Sequence, residues 1–138
     1  ILNDKKKVVD KVTFRQLKSQ DAAIQHGGDN LTGEGDGDDE VIYVDLIKLS
    51  SQATHLVFTV NSFQAHSFNE VENAFARLVD ESNNSELCRY TLAEHGSHTG
   101  VVMASMSKGS DGWSFTAHGK PCQGRTVEEI TQDAVGVI

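Results

Sequence analysis

Apolar side chains along this chain recur in short runs or in alternation with polar ones, the pattern of extended segments with a buried face. Val8 to Leu17 (VVDKVTFRQL) carries β-branched and aromatic side chains in partial alternation, and Val41 to Leu46 (VIYVDL) and His55 to Val60 (HLVFTV) are apolar runs of strand length. Glu86 to Leu92 (ELCRYTL), Val101 to Ser107 (VVMASMS) and Gly112 to His118 (GWSFTAH) read the same way. Between the last two, Lys108-Gly109-Ser110-Asp111 has the composition of a tight turn, which predicts a hairpin. Trp113 and Phe115 fall on one face of their strand by the period-two rule and are expected in the core.

Two stretches read differently. Glu70 to Asp80 (EVENAFARLVD) fits a helix through Val71, Phe75 and Leu78 but a strand through Phe75, Arg77 and Val79, so pattern alone leaves it open. In Arg125 to Val135, Thr126 and Glu129 have capping-box spacing and Ile130 and Ala134 share a helix face, which predicts a short closing helix. The sole proline, Pro121, is expected beyond the end of the strand at Gly112 to His118. About seven short strands with little helix predict an all-β chain, an antiparallel β-sandwich with a short C-terminal helix. No repeat of fixed period and no linker divides residues 1–138, so a single domain is expected.

Composition agrees with that size: 138 residues with 38% hydrophobic content can bury a core without staples. The formal charge of −8 disfavours nucleic acid as a partner and favours a cationic ligand. Lys5-Lys6-Lys7, followed by Val8 and Val9, reads as the solvated tip of a hairpin. Cys88 and Cys122 lack CxxC spacing, so both are expected as free thiols. No apolar run reaches the roughly 18 residues of a transmembrane segment and no secretory signal is visible. The expectation is a cytoplasmic protein, at most peripheral to the inner membrane face. The chain opens at Ile1 in a strand-like segment without an initiator methionine, which suggests a trimmed or partial chain.

Chemistry concentrates in Asp29-Asn30-Leu31-Thr32-Gly33-Glu34-Gly35-Asp36-Gly37-Asp38-Asp39-Glu40, six carboxylates and three glycines in twelve residues. Neutralising those acids would take the formal charge from −8 to −2. Crowded carboxylates raise one another's pKa and oppose folding unless a cation intervenes. Calcium takes six to eight oxygen ligands in flexible geometry, and carboxylates, an Asn carbonyl and a Thr hydroxyl are the donors present. Magnesium prefers a rigid octahedron with retained waters, and zinc or copper would find no nitrogen or sulfur donor in the run. Gly33, Gly35 and Gly37 free the chain to wrap so that oxygens converge. Six negative charges against the +4 of two calcium ions make a paired site the expectation. Glu40 falls twelfth from Asp29, yet Leu31, Gly33 and Glu34 occupy places where an EF-hand needs oxygen ligands and its glycine, so that reading fails. A phosphate-cradling loop would need a lysine and would not carry these acids. The plainer alternative is a solvated acidic turn.

The run Gly28 to Glu40 resembles the signature of the TerD family of tellurium-resistance and stress proteins. Further resemblance lies in Phe14 to Ser19, Val57 to Phe63, Val71 to Asp80, Gly96-Ser97-His98-Thr99 and Gly124-Arg125-Thr126, and is strongest to the TerZ branch. The resemblance implies a calcium-binding β-sandwich, a strand for Val71 to Asp80, and metal ligands drawn from Asp29, Asn30, Glu34, Asp36, Asp38, Asp39 and Glu40. It also implies partners among other proteins of the same stress-response system. This chain departs from the family at its start, where an amino-terminal strand segment bearing acids is expected and is not seen.

Other residues yield less. His95 and His98 have no acid or cysteine at ligand spacing, and neither Ser97 nor Ser110 sits in a nucleophile elbow, so no hydrolase is expected. Two functions compete: a non-enzymatic calcium-binding module that presents a surface to a partner, and a metal-dependent enzyme acting on phosphoryl substrates through Asp36, Asp38 and Asp39. No lysine, arginine or histidine between Gly27 and Glu40 helps the second.

Overall fold

The computed structural model describes residues 1–13, 16–27, 41–61, 75–83, 85–91, 100–122 and 130–138. They fall into two compact units, residues 1–54 and 55–138.

The first unit opens with a tight reversal. Leu2 bridges Val8, and the Asn3 carboxamide oxygen accepts the N–H groups of Lys5 and Lys7 at 3.0 Å each. Lys6 takes a φ of 61°, so the three lysines form the solvated tip that their sequence suggests. The strand expected from Val8 to Leu17 does not form. Its described residues make only isolated bridges, Leu2 with Val8 and Thr13 with Gln16. The reason is local: the Asp10 carboxylate accepts the Lys11 N–H at 2.8 Å, the Gln20 N–H at 2.7 Å and the Gln16 side chain at 2.7 Å, drawing into a turn the groups a ladder would use.

Strand β1 (Ile24–His26) pairs antiparallel with β2 (Ile42–Val44), Ile24 opposite Val44 and His26 opposite Ile42. The sequence reading missed β1, whose three residues carry a single aliphatic side chain. β2 lies inside the expected 41–46 run but stops at Asp45, whose carboxylate turns to accept the Ile47 N–H at 3.0 Å. Leu2, Ala23, Ile24 and Ala53 are the buried apolar side chains of this unit.

The second unit is built on β3 (His55–Asn61), β6 (Gly100–Gly109) and β7 (Gly112–Cys122), an antiparallel sheet in the order β3-β6-β7. β4 (Phe75–Asp80) pairs antiparallel with β5 (Ser85–Thr91), which settles the ambiguous 70–80 stretch as strand where it is described. The expected hairpin joins β6 to β7 through Ser110 and Asp111, with Gly109 opposite Gly112. Gly112 has a φ of +117°, a conformation that glycine adopts without a Cβ penalty. β7 runs past its expected end: Pro121 sits inside the strand, opposite Val101. A proline is tolerated there because β7 lies at the end of the described strand order, where its missing N–H interrupts no second ladder.

Adjacent residues of a strand point to opposite faces, so Val101 and Val102, both fully buried, serve different clusters. Val101, Met103 and Ala104 pack with Phe58, Val60, Phe115 and, from β4, Leu78. Val102 and Cys122 pack with Val57 and with Ile130, Ala134 and Val137 of the carboxy-terminal segment. Helix α1 (Thr131–Gly136) has Ile130 as its N-cap with no side-chain cap, and Thr126 and Glu129 lie outside the described residues. Ile130 and Ala134 do share the buried face that their spacing predicts. Every strand ladder among the described residues is antiparallel, and α1 is the one helix among them.

Cys122 is a free, buried thiol; burial, reinforced by the nearby Asp133 carboxylate, pushes its pKa up. The side chain of Cys88 lies outside the described residues.

A six-residue uncapped helix has no stability of its own, so its docking depends on Ile130. Ile130→Ala is expected to cost about 2–5 kcal/mol in denaturant unfolding, against less than about 0.5 kcal/mol for the exposed Gln132→Ala. At neutral pH iodoacetamide should modify the Cys122 peptide no faster than the second unit unfolds, as read by mass mapping with and without denaturant.

Candidate metal centre

Residues 28–40, which hold the acidic stretch, connect β1 to β2. Beyond the pair His26 and Ile42, the Gly27 N–H donates to the Val41 carbonyl at 2.8 Å, holding together the two points where residues 28–40 begin and end. The seven expected ligands, Asp29, Asn30, Glu34, Asp36, Asp38, Asp39 and Glu40, lie outside the described residues, as do His95, Ser97 and His98. What is described is the frame. Both flanks are β-strands, so no helix–loop–helix carries the stretch, in keeping with the rejection of an EF-hand.

The far end of the same ladder is anchored by a carboxylate that the sequence reading passed over. Asp21 accepts the Ser19 hydroxyl at 2.6 Å, the Ala23 N–H at 3.0 Å and, across the unit, the Ser50 N–H at 2.7 Å. The Ser19 hydroxyl in turn accepts the Ile24 N–H at 3.1 Å. The Ser19 hydrogen bond, aided against a small burial cost by the Ala23 and Ser50 amides, holds the Asp21 carboxyl below the usual carboxylate range. For Asp10, burial raises the pKa, but the Gln20 amide, the Gln16 side chain and the Lys11 amide outweigh it and the net direction is down. Both acids thus spend their lone pairs on backbone N–H groups. The signal in the sequence was the Ser19-x-Asp21 turn pattern, in which a short polar side chain competes for nearby amides.

Elsewhere two histidine rings lie against serine hydroxyls. Ser105 Oγ lies 2.7 Å from His118 Nε2, and His55 Nδ1 lies 2.9 Å from Ser107 Oγ. Ser105 is buried, and no group of three or more His, Cys, Asp or Glu side chains able to hold a metal occurs among the described residues. Nor is any described helix long and apolar enough to cross a membrane. The acidic stretch itself lies outside the residues among which such a metal-holding group is absent. There the donor chemistry fits a hard cation: six carboxylates, one carboxamide and one hydroxyl, with no nitrogen or sulfur ligand.

Comparison with known proteins places the chain in a family. A family model described as the TerD domain matches residues 1–133. The chain is 52% identical over 132 residues to the tellurium resistance protein TerZ of Serratia marcescens, covering 96% of this chain and 68% of that protein. It is 37% identical to the stress response protein SCP2 of Bacillus subtilis (strain 168), covering 92% of this chain and 65% of the relative. A crystal structure of a homologue of telluride resistance protein (TerD) from Streptomyces coelicolor A3(2) superposes with a TM-score of 0.70 at 20% identity, over 89% of this chain and 70% of that one. The chain thus spans about two thirds of the length of these relatives.

Because folding lowers the pKa of Asp10 and Asp21, their stabilisation is complete above the unfolded carboxylate value of about 4 and is lost as pH falls through the lower folded values. Asp21→Asn should therefore destabilise the first unit at neutral pH, by no more than about 1 kcal/mol for so exposed a group, and flatten its acid dependence. Melting followed by Tyr43 fluorescence between pH 3 and pH 7 checks both.

Proposed function

The chain belongs to the TerD family of tellurium-resistance and stress-response proteins, and from that premise we propose that it is a calcium-binding module, not an enzyme. The observation that supports this reading is the placement of six carboxylates between Gly27 and Val41, two backbone positions hydrogen-bonded to each other at 2.8 Å. Chain ends held so close allow the intervening acids no escape from one another by extension. Two calcium ions would supply +4 against −6, drawing ligands from Asp29, Asn30, Glu34, Asp36, Asp38, Asp39 and Glu40, with backbone carbonyls completing the shells.

The module acts by binding: with calcium bound, the stretch presents a surface to other proteins of a tellurium-resistance or stress-response system, the roles that the names of TerZ of Serratia marcescens and SCP2 of Bacillus subtilis state for those relatives. A cytoplasmic location suits this role. A metal-dependent enzyme acting on phosphoryl substrates would gain from a lysine, arginine or histidine beside the carboxylates, and the stretch contains none of these.

Isothermal titration with calcium should give a binding heat that magnesium at equal concentration does not reproduce. At calcium a hundredfold above Kd the chain should gain about 2.7 kcal/mol of stability, reversed by chelator. No heat and no rise in melting temperature would sink the proposal, and metal-dependent phosphatase or nuclease turnover abolished by Asp38→Ala would replace it with the enzyme.

A further inference from the structure

The reversal at the start of the first unit puts a lysine where the backbone disfavours one. Asn3 N–H donates to the Lys7 carbonyl and Lys6 N–H to the Asn3 carbonyl, both at 2.9 Å, while the Asn3 carboxamide oxygen accepts the N–H groups of Lys5 and Lys7. This closes a turn in which Lys6 has a φ of 61°. Glycine or asparagine adopts that left-handed conformation at less cost, so lysine here concedes stability in exchange for a charge. Such an outlier points to a use for the side chain outside the fold. Lys5, Lys6 and Lys7 are all exposed, and so are the next two residues, Val8 at 42% and Val9 at 37%. Residues 4–11 hold four lysines against two aspartates, and of those two Asp10 is engaged by three donors of its own unit. In a chain of net charge −8 this tip is locally cationic.

We propose that the tip from Lys5 to Val9 docks on anionic phospholipid, with its lysines among the head-group phosphates and Val8 and Val9 at the acyl boundary. A lysine ammonium is a point charge on a flexible stem, suited to a mobile field of phosphates and not to planar, two-pronged recognition. Residues 1–13 contain no arginine and no aromatic side chain, the groups that read or stack on nucleic-acid bases. Ammonium groups beside two small apolar side chains instead match a surface that is anionic outside and hydrocarbon beneath. The net charge of the chain does not forbid this contact, because at physiological ionic strength charges more than about 8 Å apart are largely screened. Only the charge of the tip itself then counts. Docking is weak and salt-sensitive, each lysine contributing about fivefold in affinity. No residue of 28–40 takes part, so the proposal does not rest on the calcium reading.

The test is flotation of the full chain with phosphatidylcholine vesicles, with and without phosphatidylglycerol, in chelator so that no calcium bridges the acidic stretch to lipid. Binding is expected to require phosphatidylglycerol, to fall at high salt, and to weaken by about fivefold for each of Lys5→Gln, Lys6→Gln and Lys7→Gln. Val8→Ser combined with Val9→Ser should weaken it severalfold at any salt concentration. Lys6→Asn separates the side chain from the turn: it should lose binding as Lys6→Gln does while melting no earlier than the unsubstituted chain, because asparagine tolerates the left-handed position. The proposal is overturned if the chain fails to float with phosphatidylglycerol at low salt, if it floats equally well with phosphatidylcholine alone, or if binding survives loss of all three lysines. Release from the vesicles by polyglutamate at equal charge would assign the tip to an acidic protein partner and end the lipid reading.

Discussion

Like charges linked by a short chain cannot separate farther than that chain permits, and here the permitted distance is set by a backbone hydrogen bond. Gly27 and Val41 are paired at 2.8 Å, and the chain between them carries three quarters of the molecule's net negative charge. The first unit is organised around that constraint. Its buried apolar side chains among the described residues are four, Leu2, Ala23, Ile24 and Ala53, and carboxylates used as backbone clamps add to its order. Asp10 gathers the amides of residues 11 and 20, and Asp21 those of residues 23 and 50. Asp10 and Asp21 are thus structural acids, their carboxylates satisfied by N–H and O–H donors of the same unit.

The second unit is held differently. β6 has two faces and each has its own apolar cluster, one reaching β4 through Leu78 and the other covered by the segment from Ile130 to Val137. Polar groups that enter this unit include two hydroxyl–imidazole pairs, Ser105 with His118 and His55 with Ser107, which satisfy one another by hydrogen bonds. Where like charges do meet, at Arg77 opposite Arg89 in the β4–β5 register, both approach the Glu86 carboxylate, at 3.7 and 2.9 Å. Such exposed pairs add little stability but remove a local repulsion.

How much of this was legible depended on where the determining interactions lie. The β3, β6 and β7 segments could be read because burial on one or both faces leaves a hydrophobic signature, while β5 was legible from its apolar and aromatic composition alone. β7 was read too short because a proline normally ends a strand, and only its place in the sheet order excuses Pro121. The Val8 to Leu17 segment was misread because side-chain capture by Asp10, not periodicity, decides its course. β1 left no signature, since Ile24-Gln25-His26 is a strand by virtue of its partners. The acidic stretch was legible as chemistry, since composition alone identifies the donor atoms, while the assignment of each ligand depends on residues outside those described.

The β6–β7 hairpin, with its turn at Ser110, Asp111 and the left-handed Gly112, bears on the order in which the second unit assembles. Its partners are near neighbours in sequence, whereas β3 must reach β6 across the interval from Asn61 to Gly100. Closing a short loop loses less entropy than closing a long one, so the hairpin is the natural first structure. Once formed, it offers β3 the free edge of β6 as a ready template. The glycine at the turn therefore acts on folding speed as well as on native geometry.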